Sequence, residues 1–103
     1  MLTFRQRWTL SSTGAGVAVN AGAMGTQGRV IYSALSGTSS GAVALELAGS
    51  SAGPFGTIPG TSTTVSTSGS NNVPFDGPCL WLRPYSSNVT GSIRVEVLID
   101  DGA

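Results

Sequence analysis

The sequence predicts an all-β fold: an antiparallel β-sandwich, jelly-roll-like, with seven to eight strands in one domain over residues 1–103. Three observations predict it. Apolar and polar residues alternate with a period of two over several segments, as in strands buried on one face. Clusters rich in Gly, Ser and Asn recur about every ten residues, which suits the turns of a sandwich. No segment of about ten or more residues follows the helical period.

The elements follow in chain order. Phe4, Gln6, Trp8 and Leu10 alternate with Arg5, Arg7 and Thr9, so residues 1–10 form an edge strand or an arm reaching a neighbour. A short strand spans Gly16 to Asn20, and Ala21 to Gly28 reads as a loop with three glycines. Arg29 to Leu35 is a strand. Gly41 to Ala48 is another, with Val43, Leu45 and Leu47 inward. Thr57-Ile58 and Thr63 to Thr67 are polar and suit edge strands. Pro78 to Tyr85 places Leu80 and Leu82 on one face, and Cys79, Trp81, Arg83 and Tyr85 on the other. The clearest strand runs from Ser92 to Asp100, with Ile93, Val95, Val97 and Ile99 on one side. The stretches 36–41, 49–54, 68–72 and 86–91 read as turns, because Gly and Asn tolerate positive φ.

Composition narrows the function. Only 10% of the residues are charged and the net charge is zero, against about 25% charged in an average domain. Gly, Ser and Thr together make up about 40% of the chain. All five cations are arginine, with no lysine and no histidine. A neutral chain has little long-range pull on nucleic acid, whose binding draws mainly on phosphate neutralisation. No apolar run approaches the ~18 residues of a membrane helix, and the N-terminal residues lack the order of a secretory signal. The expected partners therefore include neither nucleic acid nor membrane.

Catalysis is tested by subtraction, and no enzyme is expected. Without histidine or lysine the Ser-His-Asp, Cys-His, Ser-Lys and Schiff-base arrangements are all missing. Gly37-Thr-Ser-Ser-Gly41 and Gly49-Ser-Ser-Ala-Gly53 match the G-x-S-x-G pattern by chance, since that motif needs a strand-to-helix turn and a histidine. Glu46 and Glu96 fall on polar strand faces and read as solvated groups or partners of Arg83 and Arg94. Asp100-Asp101 reads as a solvated tail. No cofactor is expected. Zinc lacks ligands, Asp76 and the terminal Asp pair lack calcium-loop spacing, and Gly14-Ala-Gly16 lacks the dinucleotide fingerprint. The lone Cys79 reads as a buried, inert thiol. Asn88-Val-Thr90 fits the glycosylation pattern, which matters only in a secretory pathway.

Binding is the remaining class. Trp81, Arg83 and Tyr85 share one strand face, and Arg5, Arg7 and Trp8 cluster near the N-terminus. Trp, Tyr and Arg are the residue types enriched at interface hot spots, so these six are the candidate partner-binding residues. The alternative for Trp81 is to fill the core. For residues 5–8 it is an ordinary first strand with an exposed cationic face.

From Gly41 to Asp100 the chain runs through Gly-Ala-Val-Ala-Leu-Glu-Leu-Ala and a Gly-rich turn to a Ser/Thr-rich segment. Leu-Trp-Leu-Arg-Pro-Tyr and Gly-Ser-Ile-Arg-Val-Glu-Val follow. This order resembles the small β-sandwich structural proteins of tailed bacteriophage virions, over about 60% of the chain. The resemblance implies a non-enzymatic virion component. Within that class it implies first a capsid decoration (cement) protein on the capsid exterior, a homo-oligomer with a trimer favoured, whose partner is the major capsid protein. The alternative is a tail- or fibre-associated adhesion or carbohydrate-binding module. No docking residues of the family carry over to this chain.

Overall fold

A computed structural model describes residues 2–20, 27–35, 39–58, 60–66, 70–76 and 81–100. Among them are ten strands: β1 (Leu2–Leu10), β2 (Gly14–Ala15), β3 (Val19–Asn20), β4 (Gln27–Ala34), β5 (Ser40–Ala48), β6 (Gly56–Thr57), β7 (Thr63–Ser66), β8 (Ser70–Asp76), β9 (Trp81–Thr90) and β10 (Ile93–Asp100). The first sheet has the order β1-β10-β4-β8. In the second, β9 and β5 lie at the centre, with β2 and β3 both on the outer side of β9, and β6 and β7 both on the outer side of β5. Every pairing is antiparallel. With β2/β3 and β6/β7 each sharing one position, the ten strands fill the eight places of a jelly roll. The expected fold class is the observed one.

The alternating residues build the core between the sheets. Ile93, Val95, Val97 and Ile99 of β10 are buried, as are Trp8 and Leu10 of β1, Val30 and Tyr32 of β4, and Phe75 of β8. Val43 and Leu45 of β5 and Leu82 of β9 face them from the second sheet. Full burial of an aliphatic side chain stabilises by about 1.5–3 kcal/mol, so this seam dominates the stability. The ring of Phe75 lies across Gly28, its register partner, where an added Cβ would stand 2.6 Å from the ring. That glycine opens a slot for the aromatic.

Both outer strands of the second sheet are interrupted, and side chains fill the gaps. Between β2 and β3 the chain leaves β9, and the Val17 carbonyl accepts a 2.7 Å bond from Trp8 Nε1. Between β6 and β7, Thr61 turns inward. Its hydroxyl accepts from the Leu45 N–H (3.2 Å) and donates to the Ile58 carbonyl (2.7 Å), while its own carbonyl accepts from the Tyr32 hydroxyl (3.0 Å). Tyr32 belongs to the opposite sheet, so this bond ties the layers together.

Three expectations are corrected. The segment 16–20 is no continuous strand: Gly16 still donates to the Pro84 carbonyl of β9, but Val17 and Ala18 bulge away before pairing resumes at Val19. Residues 68–72 were expected as a turn, yet β8 starts at Ser70. Asn71 and Asn72 pair with Tyr32 and Ile31 because inward Phe75 holds the strand against β4. Residues 86–91 were also expected as a turn, but β9 continues through Thr90. A register shift opposite Ala42/Val43 carries this polar stretch along β5. The turn comes at Gly91, which adopts φ +73°. Cys79, Leu80, Asp101 and residues 21–26 lie outside the described residues.

Candidate functional site

The two groups of candidate residues stand on opposite outer faces of the sandwich. On β9, Leu82, Pro84 and Ser86 point inward, so Trp81, Arg83 and Tyr85 point outward from the second sheet. Trp81 therefore does not fill the core. It sits half-buried, in register with Ala48. Arg83 is opposite Glu46, and its Nε donates to Glu46 Oε1 at 2.7 Å. The guanidinium also lies 3.9 Å from the centroid of the Phe55 ring. An ion pair and a cation–π contact hold one side chain, so Arg83 is pre-positioned and spends little rotamer entropy on a ligand.

Tyr85 is 37% exposed and opposite Ala44. It borders a shallow depression of about 380 Å³ whose lining includes Ala42, Ala44, Thr57, Thr64 and Ser87. Small apolar side chains and hydroxyls beside an aromatic ring suit a ligand that is apolar on one face and hydroxylated at its edge. Trp81 is not part of this lining.

On β1, Trp8 is turned inward and only 9% exposed, with its N–H committed to Val17. Its place among the candidate contact residues is corrected: the indole is core. Arg5 and Arg7 point outward from the first sheet and share Glu96. Arg5 Nε and Nη2 each stand 2.8 Å from Glu96 Oε2, and Arg7 Nη2 stands 3.0 Å from it. These donors, Arg5 foremost, hold the Glu96 carboxyl below the ordinary range. Glu96 thus pairs across to β1, whereas Arg94, on its own strand, is not its partner. Among the described residues, no group of three or more His, Cys, Asp or Glu could hold a metal ion.

No protein-family model matches the chain, and no curated protein matches it. Solved structures do. The crystal structure of the SPBc2 prophage-derived protein YomS aligns over 96% of this chain and 96% of its own, with TM-score 0.62 at 16% identity. The chain has the fold of that prophage-derived protein. The crystal structure of PirA aligns over 94% and 93%, with TM-score 0.50 at 10% identity. A chain of the disulfide-linked pili of Bacillus endospore appendages aligns over 96% and 89%, with TM-score 0.45 at 13% identity.

Sequence reasoning missed Phe55 and the residues of the depression. Phe55 directly follows the stretch 49–54 read as turn, and nothing local connects it to Arg83. The link exists only because β6 and β9 flank β5 from opposite sides.

Proposed function

We propose that the chain is a non-enzymatic structural component of a bacteriophage virion. More narrowly, it is a capsid decoration (cement) protein on the capsid exterior, a trimer that stabilises contacts between major capsid proteins. The observation that carries this reading is the likeness of fold, over 96% of both chains, to a prophage-derived protein. The surface chemistry supports it. Ser, Thr and Gly make up a large share of a neutral chain, and such a surface resists nonspecific ionic binding. The fold also leaves the nine-residue strand β1 at a sheet edge, where assembly can cover it. The test is co-sedimentation with procapsids and expanded capsids of the phage or prophage that encodes the chain, alongside light scattering of the isolated protein. Comigration with expanded capsids and a trimeric mass are expected. No sedimentation with either particle overturns the reading.

A second reading is favoured by the depression beside Tyr85: a tail- or fibre-associated module that binds carbohydrate. A glycan array probed with wild type, Tyr85→Ala and Trp81→Ala separates the two. Binding that is lost in Tyr85→Ala supports adhesion, and a silent array removes it.

A further inference from the structure

The outer face of the first sheet concentrates charge that the whole chain conceals. The register of β1, β10, β4 and β8 lays the outward residues in rows: Arg5, Leu98, Arg29 and Pro74, then Arg7, Glu96, Ile31 and Asn72, then Thr9, Arg94 and Ser33. Four of the five arginines stand on this face. At strand spacings of about 4.8 Å and a rise of about 3.4 Å per residue, their Cα atoms lie within roughly 15 Å of one another. Among the described side chains, Glu96 is the one carboxylate there, and it is engaged by Arg5 and Arg7. Arg29 and Arg94 are exposed and have no carboxylate partner among the described residues. Ile31 and Leu98, half-buried, supply aliphatic surface between the arginines.

We propose that this face docks an acidic protein surface, with Arg29 and Arg94 as its anchors. Guanidinium forks match carboxylates in bidentate geometry. The aliphatic centre flanked by arginine is the composition of a protein interface. A second copy of this chain is disfavoured, because two such faces would oppose arginine to arginine. Nucleic acid is disfavoured too, since the described face carries no aromatic ring to stack a base. The register ends on a row of Asp100, Gln27 and Asp76. Arg94 stands far along β10 from that acidic end, so it is the stronger anchor of the two. The inference stands whether or not the chain is a virion component.

The test is NMR titration of the isotope-labelled full chain with decaglutamate at low ionic strength, with a 12-base-pair DNA duplex in parallel. Saturable shifts centred on the amides of Arg29, Ile31, Arg94 and Leu98 are expected. Arg29→Glu/Arg94→Glu should bind at least tenfold more weakly, and Arg29→Gln/Arg94→Gln should fall between it and wild type. With ligand added, four results overturn the proposal: no saturable shifts, shifts centred on Arg83, an affinity within twofold of wild type in the reversed variant, or tighter binding of DNA than of decaglutamate. Concentration-dependent shifts on this face without ligand overturn it in favour of a second copy.

Discussion

Replacing Tyr32 by Phe removes one oxygen from the middle of the molecule. Tyr32 and Thr61 are both fully buried, and the hydroxyl of the first donates to the carbonyl of the second at 3.0 Å. The substitution leaves the Thr61 carbonyl dry and without that donor, and orphaning a buried polar group costs about 1–3 kcal/mol. The loss centres near 2 kcal/mol, which for a domain of this size lowers Tm by about 8–10 °C. A pH series supplies a second signature. Burial pushes the Tyr32 phenol well above its ordinary value. The unfolded chain therefore releases this proton first, near pH 10, while the folded chain retains it. Stability from this group is full below pH 10 and falls by up to about 1.4 kcal/mol per pH unit above it. Tyr32→Phe lacks that loss, so the gap between the variants should narrow between pH 9 and pH 11. Urea unfolding followed by circular dichroism measures both effects, and Tyr85, present in both proteins, cancels. A cost below about 0.5 kcal/mol at pH 7, or a gap unchanged at pH 11, refutes the claim that this bond ties the sheets.

Two further perturbations probe the turn and the ion pair. Gly91→Ala puts a Cβ on a residue at φ +73°, 2.5 Å from the Ser39 Oγ that accepts the Ser92 N–H. A loss of about 1–3 kcal/mol in urea unfolding is expected, and an unchanged midpoint would show that the turn relaxes freely. Glu96→Gln removes a carboxyl whose folded value is depressed by Arg5 and Arg7. Its stabilisation is present above the unfolded value of about 4.3 and is lost as pH falls through the folded one. Wild type should exceed the variant by less than about 1 kcal/mol at pH 6, since both arginines are more than half exposed. The difference should vanish at low pH, and a Tm difference that stays flat across pH 6 to 2.5 contradicts the pairing.

The strands that bury one full face were legible, because a period of two in apolar residues is a local property. Ile93 to Ile99 and Val43 to Leu47 show it plainly, and both lie in the strands the alternation marks. What escaped depends on a partner strand. Ser70–Asn72 is locally turn-like and becomes a strand only because β4 offers an edge and Phe75 packs over Gly28. The Arg83–Glu46 pair was half visible. Both residues were placed on polar faces, but the register that sets them opposite one another spans a sequence separation of 37 positions. Trp8 shows the opposite failure. Its residue type suggested an interface, while its position in the alternation already put it inward.

The four sheet edges differ in a way that bears on assembly. An edge strand offers unpaired N–H and C=O groups to another chain, and proteins blunt such edges by shortening, breaking or charging them. Both edges of the second sheet are broken, at Val17–Ala18 and between Ile58 and Thr63, and backbone groups released there are taken up by Trp8, Tyr32 and the Thr61 hydroxyl. The β8 edge carries Pro74, which has no N–H, and Asn71 reaches across its corner to Thr63. The β1 edge is nine residues long, with a register shift between Leu2 and Phe4, and along the regular stretch that follows charge is its protection, through Arg5 and Arg7 on the outer face. Antiparallel pairing of two β1 strands would bring those arginines alongside their own copies, which disfavours self-association. An acidic strand laid along β1 meets no such penalty, so the edge and the adjoining arginine face select for the same chemistry of partner.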